Sequence, residues 1–554
     1  MGTDLLRRHG GALLLLLTAA TWLGVVGAGF VWDDHGLLSP RAGLSDGTEL
    51  KALLLGDLWA RAPGAPVHSG YFRPLVALSF ALDQAVFGAW APGYHLHSLA
   101  WHLLAVATLH RLLAGLLPWP QALAAAAVFS LHPVQSEAVT WIAARNDPMA
   151  AALGLGALLA VRPARVGPGR LAIGALLAML GLLAKESVVL LPLLLLLLDL
   201  GAEGRPGPAR RWLALLLGLG LGLGLRLAVG VDGGGAPDPV GVALLLDQAP
   251  RLVAVLGAAL SVSWPLAATR SLEWLGWEPT WRVGVGLATA AALLLVPLAL
   301  PAPRRRLALV GLAWLLATLA PTLLPIADKG LIGERYLYLG VVGLALWLAG
   351  ALAQRLPWLV LALLLPWQAL VRDRLPDWRD DDRLWLAAWQ DTGTPYAQAG
   401  LGLRLQRAGR SDLALPLLVG ALDQDPPAQD ACAGLLAAAL DQGGPVLAEP
   451  LGRWALRRGC PRAGVLAGTL AAVQAQLGQW DRAERTLDGA GPDPTGRDTV
   501  VRIALLQRAG AHEQAAALLA TTPDPASVRA QVDGLLGSSS GTPPGILPPP
   551  ASER

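Results

Sequence analysis

The chain of 554 residues is long enough for two or more domains, and 54% of it is apolar while only 15% is charged, at a mean hydropathy of +0.50. A soluble protein of this size needs more charge to cover its surface, so composition selects a polytopic membrane protein. A net charge of +3 gives no basis for a nucleic-acid partner.

Apolar runs near the roughly 20 residues that cross a bilayer as helix recur as far as residue 372 and predict an all-α bundle. The first, 11–29, follows Arg7 and Arg8 with no small-residue cleavage site before an acidic pair, and reads as a retained helix rather than a signal peptide. Further crossings are expected at 93–117, 119–131, 139–161, 171–184, 187–200, 212–230, 281–300, 307–325, 336–354 and 356–372, about 11 with the first. The basic loops "VRPARVGPGR" (161–170), "RPGPARR" (205–211) and "PAPRRR" (301–306) then share the cytoplasmic side with Arg7 and Arg8. Residues 248–263 form one more apolar segment, expected to be re-entrant or to lie at the outer interface. The stretches 45–60 and 68–88 read as helices on the outer surface.

After residue 372 the pattern becomes that of ordinary amphipathic helices, so the chain divides into a membrane domain (1–372), a connector (373–395) and a helical region (396–525) on the outer side. "LQRAGRSDLA" (405–414), "QLGQWDRA" (476–483) and "LLQRAGAHEQA" (505–515) share a Gly, a polar residue three later and an Ala five later. With the weaker copy at Gly444, the glycines Gly409, Gly444, Gly478 and Gly510 are spaced 35, 34 and 32 residues apart. That frame resembles tetratricopeptide repeats, helix pairs that stack because none can bury its apolar face alone. The Gly/Ser/Pro-rich tail 537–554 is expected to be disordered. Cys432 and Cys460 read as buried thiols, or as a disulfide if this region faces an oxidising compartment.

In this topology the most polar islands of the membrane part share the outer face: "WDDHG" (32–36), "LHPVQSEAVTWIAARNDP" (131–148), "AKES" (184–187) and "DKGLIGERYLY" (328–338). Ionisable residues at membrane borders are costly and mark sites or pathways. Asp33 and Asp34 are either a loop start, with Asp34 as a helix N-cap, or a general base for an acceptor hydroxyl. A carboxylate pair also suits a divalent cation bridging a phosphate; no other cofactor is indicated. His132 precedes Pro133 and suits a cap. Glu137 and Arg145, eight apart on one helix side, pair with each other or leave Arg145 for a phosphate. Asp147 belongs to the same segment. Lys185 and Glu186 pair mutually or serve the site. Arg335, flanked by Tyr336 and Tyr338, is an interfacial anchor or a phosphate clamp, and Arg73 with Tyr71 precedes an outer helix. Phe30 and Trp32 read as anchors at the lipid boundary.

The order of these motifs, an acidic pair after the first helix, "YFRPL…SF", "GYHLHSLAWHLLAV", "HPVQSEAVTWIAARND", "KES", "DKGLIGERYLYL" and "VRDRLPDWRDDDRLW" leading into helical repeats, resembles the transmembrane and tetratricopeptide-repeat-containing O-mannosyltransferases and their bacterial relatives. That family lies within the GT-C glycosyltransferase superfamily. The resemblance implies a transferase that moves a sugar, mannose in the family, from a polyprenyl-phosphate carrier to a hydroxyl of an extracytoplasmic acceptor, protein or glycan, presented by the repeats. It places the catalytic acids at Asp33 and Asp34. It assigns the donor phosphate to Arg145, Lys185 and Arg335, with His132 and Glu137 as site support, and Arg73, Asp147, Glu186 and Tyr336 join them as candidate substrate-binding residues. His95, His97 and His102 fall in the third motif, where a structural role is at least as fitting. Membrane lipid is the remaining partner, and the compartment implied is the periplasmic face of a bacterial inner membrane. The competing reading is a non-catalytic membrane-anchored repeat scaffold for envelope assembly.

Overall fold

The computed structural model describes residues 2–38, 47–59, 70–163, 165–231, 239–262, 270–272, 275, 279–424, 428, 431–460, 463–488 and 496–537. The expected disordered tail lies outside these residues, apart from Gly537. The chain divides into two compact units, Met1–Ala387 and Ala388–Arg554, and the division falls inside the 373–395 connector.

Among the described residues the regular structure of the first unit is helical, apart from a two-residue antiparallel pairing of Arg270–Ser271 with Leu331–Ile332. The expected apolar runs are helical over most of their length, with a break at Trp141 inside the run 139–161. Among the described residues five stretches are long and apolar enough to cross a bilayer by length and composition, Arg8–Gly27, Ala209–Val229, Thr280–Ala299, Ala302–Asp328 and Gly340–Trp378, or six if a bent pair counts as one. This identifies a multi-pass membrane protein. Others are shorter apolar helices, such as Trp119–Leu131 and Pro168–Leu182, at about the lengths of the apolar runs read there. At about 1.5 Å per residue, such helices reach less than the ~30 Å of a bilayer core. The twelfth apolar segment is the second leg of a bent pair, Pro239–Asp247 and Ala249–Leu260, which turn 67° at the break.

Small residues set how closely these helices pack. Where Ala302–Leu319 crosses Gly340–Leu352, a Cβ on Gly311 would lie 2.4 Å from the Trp347 nitrogen, and one on Gly343 would lie 2.5 Å from the Gly311 carbonyl oxygen. The two backbones touch only because both positions are glycine. Behind them, Trp22, Phe129, Trp314 and Tyr338 fill the core.

The second unit is a run of short helices, Pro395–Arg407, Ser411–Asp423, Cys432–Arg457, Ala463–Gln476, Trp480–Asp488, Arg497–Arg508, His512–Ala520 and Pro525–Gly537. Gly409, Gly444, Gly478 and Gly510 adopt φ of 74°, 62°, 74° and 77°. Each repeat glycine therefore makes the left-handed turn between two helices, which side-chain-bearing residues resist. The weak second copy is a break inside Cys432–Arg457, at Gly443 and Gly444. The turn at Gly444 folds that helix back, which brings its start near its end, and Cys432 and Cys460 are disulfide-bonded across a Cα separation of 6.1 Å. The free-thiol expectation is thus corrected.

Candidate functional site

The island 131–148 is not one helix. Ser136–Thr140 stops at Trp141, whose backbone is extended, a 3-10 turn spans Ile142–Arg145, and the long helix begins only at Asn146. The break cancels the eight-residue helical register, so Glu137 and Arg145 do not pair. Glu137, fully buried, takes both the backbone N–H and the Nη1 of Arg335. Arg145, equally buried, is 2.5 Å from Asp83 and donates to Ser79, Ser98 and the Tyr94 carbonyl. It is enclosed by partners on the helices Pro74–Phe87 and Ala91–Ala114.

Lys185 and Glu186 do not pair either. The backbone around Lys185 is extended, which sends neighbouring side chains to opposite sides. Lys185 Nζ donates to Asp147 at 2.5 Å, and Glu186 takes Arg73 Nη2 at 2.8 Å and Arg226 at 3.5 Å. The pairs are neighbours. The Arg335 guanidinium lies 5.0 Å from the centre of the Trp141 ring and 4.9 Å from that of Tyr336, and Lys185 Nζ lies 5.9 Å from the Tyr336 ring. Arg73 stacks on Tyr71 at 4.4 Å. Asp147 interacts electrostatically with Arg73, Lys185, Arg335 and Tyr336, so the pairs form one charged field. Arg73, Lys185 and Arg335 keep 13%, 13% and 19% of their side-chain surface, enough for a ligand to reach, whereas Arg145 keeps none.

The adjacent acids have different surroundings. Asp34 is fully buried, and its oxygens accept the backbone N–H groups of Val31 at 3.1 Å and Ala143 at 2.8 Å. It staples the loop after the first helix to the turn after Trp141, and it is Asp33, not Asp34, that stands at the N-cap of Asp34–Leu37. The Asp33 carboxylate accepts no hydrogen bond among the described residues and faces the field of Arg335. Burial lifts Asp33 to about 6 against the pull of Arg335, and lifts Asp34 to about 8 despite its two backbone donors.

Other expected site residues are structural in their contacts. His132 accepts the Val134 N–H, caps the turn after it, and donates to the Leu260 carbonyl. His95 contacts the Gly29 carbonyl, His97 pairs with Asp83 at 2.6 Å, and His102 binds Tyr338 Oη and the Ser130 carbonyl. Trp32 stacks on Trp141 at 4.8 Å and 11°, and Phe30 meets Tyr94 edge-on, so neither ring reads as a lipid anchor. Among the described residues no three His, Cys, Asp or Glu side chains gather as metal ligands. Two participants went unnoticed in the sequence: Arg226, a lone cation near the end of an apolar helix, and Trp141, the floor under Arg335. The first carried a visible signal, a charge where lipid disfavours one.

Fold and site together define a multi-pass helical membrane protein whose connecting segments gather paired cations, tyrosines and one unbonded carboxylate. Over part of its length the chain is similar to protein O-mannosyl-transferase Tmtc2 of Drosophila melanogaster, 35% identical over 193 residues, 33% of this chain and 21% of that protein. It is 32% identical over 176 residues to Tmtc1 of the same fly, 31% of this chain and 20% of that protein, and 26% identical over 144 residues to human TMTC3, 26% and 16% respectively. The chain is thus a relative of the transmembrane and tetratricopeptide-repeat-containing O-mannosyltransferases that its motif order resembles, and it spans about a fifth of the length of the curated relatives it matches. No family model matches the chain, and no solved structure matches it.

Proposed function

We propose that the chain is a GT-C-type glycosyltransferase that moves a sugar, mannose by analogy with the names of its relatives, from a polyprenyl-phosphate carrier to a hydroxyl of an extracytoplasmic acceptor. The observation that carries the reading is the convergence of Asp33 with Arg335, Lys185, Arg73 and Tyr336 from four separate connecting segments. In this reading Asp33 is the base. It takes the proton of the acceptor hydroxyl as that oxygen bonds to the anomeric carbon, while the bond from that carbon to the phosphate oxygen breaks. Arg335, Lys185 and Arg73 receive the departing lipid phosphate in competition with Glu137, Asp147 and Glu186, and Tyr336 donates from its hydroxyl. Asp34 shapes the loop. The eleven-crossing topology belongs to the same proposal, with the cluster and the helical pairs, a tetratricopeptide-like solenoid that presents the acceptor, on the periplasmic side of a bacterial inner membrane. The Cys432–Cys460 bond supports that side, since such bonds persist in oxidising compartments.

The test is transfer from polyprenyl-phosphate mannose in membranes carrying each aspartate variant. Asp33→Asn is expected to lose at least about 100-fold in kcat, the usual scale of a general base. Asp34→Asn keeps its oxygen for one N–H and turns an amide toward the other, which costs about 1–3 kcal/mol of stability and less activity than Asp33→Asn. Full transfer by Asp33→Asn sinks the assignment of the base. Absence of transfer from the wild type with any lipid-phosphate sugar returns the scaffold reading.

A further inference from the structure

Trp32 has a φ of 52°, one of three non-glycine residues in the described chain with positive φ. A bulky residue stays in the left-handed region only where its surroundings over-determine it. The next residue is Asp33, so the reversal at Trp32 decides where that carboxylate points. Contacts from the segment 378–385 hold the reversal. Asp381 Oδ1 accepts the Trp32 backbone N–H at 2.8 Å, and Asp381 Oδ2 accepts His35 Nε2 at 2.9 Å, gripping the loop before and after Asp33. The Trp385 ring meets Trp32 at 5.7 Å, and Trp378 stacks on Trp141, the ring that supports both Trp32 and Arg335. The Gly29 N–H donates to the Arg379 carbonyl at 3.0 Å, and a Cβ on Gly29 would lie 2.6 Å from that oxygen. Asp381 itself is 11% exposed and belongs to the helix that leaves the membrane part of the chain.

We infer that Asp381 is a positioning residue for Asp33: its two carboxylate oxygens hold Trp32 left-handed and His35 in place, so that the base faces Arg335. The inference rests on the reading of Asp33 as base. It adds that the segment after the last apolar helix is part of the active centre, not a tether. Sequence alone gives no reason to join Asp381 to a loop 349 residues away.

The experiment uses the full chain in membranes with two readouts. The first is transfer from polyprenyl-phosphate mannose. The second, independent of activity, is labelling of Asp33 by an apolar carbodiimide, which reacts with protonated carboxyl groups, followed by mass spectrometry across pH. In the wild type, labelling rises as pH falls through about 6. Asp381→Ala is expected to lose about 100-fold in kcat with KM for the lipid donor within threefold, the scale of a misplaced catalytic group. Its labelling midpoint falls toward the ordinary aspartate value of about 4 as the loop relaxes into water. Asp381→Asn, whose amide oxygen still accepts the Trp32 N–H, restores most of both readouts, and it answers a failure of the alanine variant to fold. Wild-type kcat and labelling in Asp381→Ala overturn the inference, as does an asparagine variant no better than alanine. If the wild type transfers nothing yet the midpoint shifts in Asp381→Ala, the base assignment fails while the positioning holds.

Discussion

Asp33 and Asp34 are chemically identical neighbours, and their roles are divided by hydrogen bonding. Two backbone donors occupy Asp34, whereas Asp33 is half-buried in the electrostatic field of Arg335 and accepts no hydrogen bond among the described residues. The consequence is a pH dependence. A base must be ionised, so transfer is expected to fall about tenfold per unit below about pH 6, measured as kcat/KM. Folding runs the other way. The unfolded chain ionises Asp33 near 4 and the folded chain near 6, so the folded state holds the proton longer and stability falls as pH rises between those values. Above that window the cost is fully present. Asp33→Asn removes it, and at pH 7 this variant is expected to melt no lower than the wild type while losing at least about 100-fold in transfer. A melting temperature well below wild type contradicts the burial argument. Residue pairing shows where sequence reading reached its limit. Glu137, Arg145, Lys185 and Glu186 were recognisable as costly charges, but their partners Arg335, Asp83, Asp147 and Arg73 are mostly distant in sequence.

At the level of elements, periodicity and composition foretold the helices, and the exceptions have physical causes. The run 139–161 looked continuous because it is apolar, yet its first turns are broken at Trp141 and Arg145, where side chains find partners in other segments. In the second unit the glycine frame did more than mark helices. It located four of the positive-φ turns, because a residue with φ near 74° is favoured only as glycine, while Gly393, Gly459 and Gly496 make others outside the frame. Gly478→Ala is expected to cost about 1–2 kcal/mol, read as a lower melting temperature of the intact protein. The Cys432–Cys460 bond closes a loop of 28 residues. Its loss in Cys432→Ser is expected to cost about 3 kcal/mol and to speed proteolysis of the second unit. Unchanged protease resistance after reduction argues against that bond in the native protein.

For the molecule as a whole, the basic loops and the charged islands are separate segments of the chain, and the proposed topology sorts them to opposite membrane faces. Labelling of introduced cysteines tests this, since both native cysteines are disulfide-bonded. A membrane-impermeant maleimide applied to intact cells is expected to label Ala89→Cys, on an exposed turn before the Ala91–Ala114 helix, and to spare Arg165→Cys in the basic loop. The reverse pattern inverts the topology, and labelling of both breaks it.

The sequence by itself determined the membrane class, the helical content, the repeat glycines and the charged segments from which a site is built. These follow from local physics: apolar length, helical period, the conformational freedom of glycine and the cost of charge beside lipid. Only the tertiary structure decided that Asp33 rather than Asp34 is open, that Arg145 is closed off behind Asp83, and that Asp381 grips the first loop. Ion pairs and hydrogen bonds are chosen by distance in space, and a chain of separate helices brings together residues hundreds of positions apart without leaving a local mark.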